Sequence, residues 1–239
     1  MRPRVVLVLL ALLALAAVCV RLGLWQLGRY EQKRAMVAAL RAGLAAPPRD
    51  LERASAPPES VVGRVVEVRG RYDPTHHVLL AFRDLDGAPG VEVVTPLRRS
   101  DGEWVLVNRG WLPSEDGVHA RPQDFPEPGT RAVRGVGEAV GRGRFGVRML
   151  ENDSVTVLST RALDAESLAA RLPGPLARYV VRQLPGPGVP ERPRRARPPL
   201  PDPTVHLSYV IQWFSFAAIL VAGGAIFARS QRGGARSSR

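Results

Sequence analysis

The chain has one cysteine, Cys19, and it lies inside an apolar run. A single thiol can neither close an intramolecular disulfide nor build a Cys-based metal site, which sets aside a disulfide scaffold, a thiol redox role and a Cys-bound copper. Lysine is almost missing as well. Lys33 is the only one among 34 basic residues, a skew that points to a GC-rich bacterial coding sequence. No internal repeat, H-E-x-x-H helix or Ser/His/Asp set is present, and the carboxylates of Asp84, Asp86, Glu115 and Asp116 stand beside no nucleophile. Nothing therefore marks an enzyme. Gly141-Arg142-Gly143-Arg144-Phe145-Gly146 fits G-x-G-x-x-G by its letters, but the loop-like Glu151-Asn152-Asp153-Ser154 soon follows where a dinucleotide fold needs a helix. It reads as a basic β-turn, with no nucleotide bound. His76 and His77 stand in tandem within a strand, so their rings point to opposite faces, cannot share one metal, and are expected at the surface. His119 lies in a Pro- and Asp-rich loop without an evident partner.

What the chain does have is positive charge and two long apolar runs. The net charge is +12, but from Ala35 to Ala228 there are 24 Arg against 21 Asp and Glu. The surplus sits beside the apolar runs, at Arg2 and Arg4, at Arg21, Arg29, Lys33 and Arg34, and at Arg229, Arg232, Arg236 and Arg239. That placement fits membrane-flanking cations and argues against a nucleic-acid partner. Leu207 to Ala228 is uncharged over 22 residues, enough to cross a bilayer. Val5 to Val20 is uncharged over 16 and continues past a snorkelling Arg21 to Leu22, Leu24, Trp25 and Leu27. Val18 ahead of Cys19 does not suit a lipoprotein signal, and an uncleaved anchor is the better reading of the run than a signal peptide. Long loops translocate largely regardless of charge, so the short Arg-bearing tails decide orientation, with both termini cytoplasmic.

Between the anchors the pattern changes. Residues 28–60 read as a membrane-proximal helix, broken at Pro47-Pro48, followed by a linker. Residues 61–184 read as a mostly-β domain, with strands around Val62–Tyr72, Val78–Leu80, Arg131–Val140, Val155–Leu158 and Tyr179–Val181. Val91–Leu97 and Glu103–Trp111 form the clearest hairpin, since Asp101-Gly102 supplies the positive φ of its turn. Asp164 is expected to cap a short helix over Ala165–Leu172. Pro- and Arg-rich residues 185–204 are expected as an extended tether, leading into an apolar helix over 205–228 and a basic tail over 229–239. The fold class that follows is an α+β membrane protein, with two transmembrane helices flanking a mostly-β extracytoplasmic domain of roughly 125 residues, enough for one modest core.

Polar and aromatic residues gather at the mouths of the apolar helices. His206, Tyr209, Val210, Trp213 and Ala217 share one helical stripe, and Trp25, Arg29 and Lys33 share another. Three readings stand side by side. One is an aromatic belt with cationic snorkels. Another is a site for a flat, apolar, anionic ligand such as haem. There His206 ligates the iron, Trp25, Tyr209 and Trp213 stack, and Arg29 and Lys33 pair with propionates. The third is a protein-docking face, with Gln212 hydrogen-bonding between helices.

Gly23-Leu24-Trp25-Gln26-Leu27-Gly28-Arg29-Tyr30-Glu31-Gln32-Lys33 resembles the G-x-W-Q-L-x-R-x-x-x-K signature of the Surfeit-1 family. Val94-Thr95-Pro96-Leu97 and Val105–Pro113, which carries Asn108-Arg109-Gly110-Trp111, resemble its central block. His206–Ala217 resembles its H-x-x-Y-x-x-Q-W-x-x-F-A helix. The chain departs from the family at Tyr30-Glu31-Gln32, where a tryptophan often precedes the lysine, and in the length of the tether before His206. The resemblance implies a non-enzymatic assembly factor for haem-copper cytochrome c oxidase in a bacterial plasma membrane. It implies help in bringing haem a to the catalytic subunit, with that subunit and the haem a synthesis machinery as partners. The family's histidine falls on His206. Asn108, Arg109 and Trp111 are then expected to dock the oxidase or, equally, to form a structural turn. A scaffold that never touches haem is the alternative.

Overall fold

The computed structural model describes residues 3–51, 56–141, 146–150 and 155–234. Their contacts divide into two units, Met1–Ala39 with Leu200–Arg239, and Leu40–Pro199. The turn expected at Gly141–Gly146 falls largely on residues outside the described ones, as does Glu151–Ser154.

Among the described residues of the second unit, nine strands form one sheet, the longer ones built on alternating apolar residues: β1 (Arg49–Asp50), β2 (Val65–Tyr72), β3 (His76–Leu85), β4 (Ala88–Arg99), β5 (Trp104–Pro113), β6 (Thr130–Ala139), β7 (Arg148–Leu150), β8 (Thr156–Thr160) and β9 (Leu176–Gln183). The sheet runs β1-β2-β6-β9-β5-β4-β3-β8-β7, and β2 also pairs with β4. That additional pairing, Gly70↔Arg99 to Tyr72↔Leu97, closes β2, β6, β9, β5 and β4 into a barrel. β4 is long enough for two partners: its last residues meet β2, while residues nearer its start meet β3. The sheet therefore continues past the barrel wall into β3, β8 and β7.

The expected hairpin is present, with Val91 opposite Leu112, Leu97 opposite Val105, and Gly102 at φ +86° in its turn. Inward residues fill the barrel, among them Val66, Val68, Leu97, Val105, Val107, Val133, Tyr179 and Val181. Residues on the outer faces build two further clusters. Leu158, Leu163, Leu168 and Leu172 pack with Val78 and Val94, and Leu79, Val91, Val93 and Leu112 pack with Val157. Leu168 belongs to α3 (Ala165–Ala169), which is shorter than expected. Asp164 precedes it, but its carboxylate takes the Ser167 hydroxyl at 2.6 Å in place of a backbone N–H. A one-turn helix, α2 (Pro58–Val61), lies between β1 and β2 in the chain.

One end of the barrel is polar and buried. Arg109 on β5 donates from Nε to Glu127 at 3.0 Å, and its guanidinium lies 5.2 Å over the Tyr72 ring. Arg195 meets the same carboxylate and also donates to Gln183 Oε1 from Nε at 3.1 Å. This changes the picture of residues 185–204. They carry no helix or strand apart from Thr204, which begins the next helix, but they are not a free tether. Arg195 is 8 % exposed, and Arg194 exchanges backbone hydrogen bonds with Trp111 at 2.8 and 2.9 Å. The tether expectation rested on composition, and composition does not reveal that an arginine has a buried carboxylate waiting 68 residues away.

The tandem histidines also need correction. His76 is half-buried and bonded to Asp73 at 2.8 Å, but His77 is 3 % exposed, with Nδ1 3.1 Å from Thr95 Oγ1 on β4. Alternation puts one ring outward and the other under the sheet.

Two tests follow. Gly110 sits at φ +115°, and a Cβ there would stand 2.4 Å from the Arg194 carbonyl oxygen. Gly110→Ala is expected to lower the Tm in mild detergent by about 2–12 °C, since strain of this kind costs roughly 1–3 kcal/mol. An unchanged Tm removes the pinning of residues 194–195 as a structural requirement. Burial, reinforced by the positive charge of Arg109 and opposed by Asp73, lowers the His77 pKa to about 4. The unfolded chain then takes up this proton first as pH falls. The contribution is fully present above pH 6.5 and lost progressively down to about pH 4, on the order of 3 kcal/mol. His77→Asn, which keeps a partner for Thr95 without titrating, is expected to flatten the fall in Tm across that window; an identical slope refutes the assignment.

Candidate functional site

The first unit consists of the greater part of α1 (Pro3–Ala45), a single uninterrupted helix, with α4 (Thr204–Gly234). Both are long and apolar enough to cross a membrane. They pack antiparallel. Gly224 faces Leu9 and Leu12, Gly23 faces Phe214, and His206 meets Gln26. On α1 the residues that turn inward are Ala16, Cys19 and Gly23, spaced three and four apart; on α4 they include Val210 and Ala217. A Cβ at Gly23 would lie 3.1 Å from the Phe214 ring. Glycine here lets an aromatic ring seat against the α1 backbone, a known means of close helix approach.

His206 lies in the first turn of α4, half-buried, with Nδ1 2.9 Å from Gln26 Oε1. With a carboxamide oxygen as acceptor, Nδ1 carries the proton. Nε2 is then the lone-pair nitrogen, and it has no partner among the described residues. A side-chain acceptor that fixes the tautomer and orients the ring is what a metal-ligating imidazole normally has.

The other expected residues are only partly gathered. Val210 and Ala217 face α1 with His206, but Tyr209 is 45 % exposed at the stripe's edge. Trp213 is half-buried, in an edge-to-face contact with Phe216 at 5.9 Å. Trp25 is 58 % exposed, one position from the inward-turned Gln26. Arg29 is exposed and donates to Gln32 at 3.2 Å, while Lys33 on the same stripe is half-buried. The stripe of Trp25, Arg29 and Lys33 therefore lies beside the packing face, not on it. Gln212 was expected to bond between the helices, but it is exposed; two positions beyond Val210, it points away from α1. Gln26 makes that bond. The legible signal was its spacing, three residues after Gly23.

Asn108 and Arg109 are 1 % and 2 % exposed, so neither side chain is available to a docking oxidase. Asn108 donates to Glu92 at 3.0 Å and accepts from the Gly110 N–H at 3.0 Å. Trp111 is half-buried, with its indole N–H on the Arg83 carbonyl at 3.3 Å. Glu92 also holds Arg182, which reaches Glu138 on β6, so these residues belong to a polar ladder across the sheet. Asn108 and Arg109 are thus engaged inside the domain, while Trp111 stays half-open at its surface.

The comparisons with known proteins bear on the whole of this arrangement. A SURF1-like protein of Monosiga brevicollis is 28 % identical over 240 residues, covering 95 % of this chain and 89 % of its own. A SURF1-like protein of Dictyostelium discoideum is 32 % identical over 102 residues, 39 % of this chain and 38 % of its own. One of Rickettsia felis is 27 % identical over 111 residues, 46 % of this chain and 48 % of its own. The model of the SURF1 family matches residues 13–218, from within α1 through the barrel to Ala217's neighbour on α4. The chain belongs to the SURF1 family, and that membership implies a cytochrome c oxidase assembly factor.

Proposed function

We propose that the chain holds haem a at the mouth of the helix pair and passes it to the catalytic subunit of cytochrome c oxidase. The observation that carries this reading is the His206–Gln26 hydrogen bond, which leaves Nε2 of the imidazole without a partner among the described residues. Haem a is cargo here, and its iron takes an axial nitrogen of this kind. A single labile ligand suits a protein that must release what it holds. Trp213, two turns along α4 from His206, with the more exposed Trp25 and Tyr209, supplies apolar surface for a macrocycle; Lys33 and Arg29 supply cations for its propionates. In this reading α1 and α4 span the bacterial plasma membrane, the Arg-bearing tails stay in the cytoplasm, and the barrel lies outside. The lipid bilayer, the oxidase catalytic subunit and the haem a synthesis machinery are its partners.

The outward placement of Trp25, Tyr209 and Gln212 favours a second reading, a scaffold that docks proteins through this face without touching haem. One experiment separates the two. The protein is purified in mild detergent from cells that make haem a, and its optical spectrum is compared with those of His206→Ala and Gln26→Leu. His206→Ala is expected to lose the haem a bands, and Gln26→Leu to retain haem with affinity lowered about 10–100-fold, the usual effect of removing a ligand's orienting partner. A colourless wild type, from membranes that plainly contain haem a, leaves the scaffold.

A further inference from the structure

A cavity of about 360 Å³ opens at the polar end of the barrel, beneath the loop from Pro122 to Gly129. Its walls are largely apolar, formed by Pro74, Pro122, Pro126, Pro128 and the Tyr72 ring. It also holds two polar groups that the fold leaves without partners. Tyr72 is 7 % exposed and its hydroxyl bonds to nothing among the described residues; His77 is 3 % exposed and its Nε2 likewise. Leaving a buried polar group unsatisfied costs about 1–3 kcal/mol, so two in one cavity indicate that something else supplies the partner.

The charges around the cavity indicate its sign. Arg109 and Arg195 share the one carboxylate of Glu127. Asp73, the other acid in the wall, is already held by the Thr75 N–H and hydroxyl and by His76. Arg71, exposed in the lining, has no hydrogen-bond or ion-pair partner among the described residues. Positive charge is therefore in surplus around two unpartnered groups. Both can donate: burial raises the Tyr72 pKa far above its ordinary value and keeps its hydroxyl protonated, and His77 carries its proton on Nε2 in the tautomer whose Nδ1 accepts from the Thr95 hydroxyl 3.1 Å away. We propose that this cavity binds a small amphiphilic carboxylate, its head accepting hydrogen bonds from the Tyr72 hydroxyl and His77 Nε2–H beside Arg109, its short apolar body lying against the proline walls. The site belongs wholly to the barrel and does not depend on the haem a reading.

The test uses the full-length protein in mild detergent and three probes: 4-phenylbutyrate, its neutral amide, and inorganic phosphate, each titrated calorimetrically. The acid is expected to bind saturably and more tightly than the amide or phosphate. Tyr72→Phe, which keeps the ring under Arg109, is expected to bind the acid about tenfold more weakly, equivalent to about 1.4 kcal/mol, with its Tm unchanged. His77→Asn serves as the second variant and is expected to weaken binding likewise. Equal affinity for the amide, or full affinity in both variants, overturns the proposal. So does phosphate binding as tightly as the acid, which makes the cavity a simple anion site. An absence of saturable binding by the acid also overturns it and leaves ordered water as the partner of Tyr72 and His77.

Discussion

The Glu127 carboxylate is the point on which the β domain depends. It lies between two guanidiniums, Arg109 from β5 and Arg195 from the segment that leaves the sheet, and all three residues are more than nine-tenths buried. Two buried cations around one anion are tolerable only because each guanidinium has further acceptors. Arg109 donates to the Phe125 carbonyl; Arg195 donates to Gln183 and to the carbonyls of Pro190 and Pro193. Breaking such a cluster by removing one member leaves an uncompensated buried charge, at a cost of about 3–5 kcal/mol. The carboxylate thus ties together three stretches distant in sequence: the long hairpin, the proline-rich loop over the barrel end, and the chain returning toward α4.

Much of the architecture was legible because it is local. Alternation gave β2, β6 and β9, Asp101-Gly102 gave the β4–β5 hairpin, and the uncharged runs gave the two long helices. What was not legible is pairing at a distance. Closure of the barrel needs β9 to lie between β5 and β6, and β4 to reach β2, and no single-strand pattern encodes either. The same limit explains the tether: its arginines look solvated until Glu127 and Gln183 are placed beside one of them. His77 is a different kind of miss. The tandem in a strand already required one inward ring, and only the barrel decides which.

On the helix pair, motif and packing divide the residues differently. The eye goes to Trp25, Arg29 and Lys33, the large and charged members of the first motif, yet the smaller Gly23 and the uncharged Gln26 turn toward α4. Large side chains at these positions would hold the helices apart, while Gly23 admits Phe214 and brings Gln26 within reach of His206. The polarity of the helix mouth therefore has two layers. An inner hydrogen bond orients the imidazole, and an outer set of indole, phenol and cationic groups stands around it.

Closure of the barrel also governs how anything can attach to it. β2, β4, β5, β6 and β9 have neighbours on both sides, and the strands that end the sheet, β1 and β7, are two and three residues long. An open edge of ordinary length invites another polypeptide to add itself as an extra strand, whether a client or an aggregating copy. Here such an intruder finds a stub at each end and, past the reach of β8, residues 81–85 of β3, which among the described residues pair with β4 alone. Recognition of this domain by another protein is therefore directed chiefly to loops and side chains, where sequence can discriminate, and little to the backbone ladder, which accepts almost any chain.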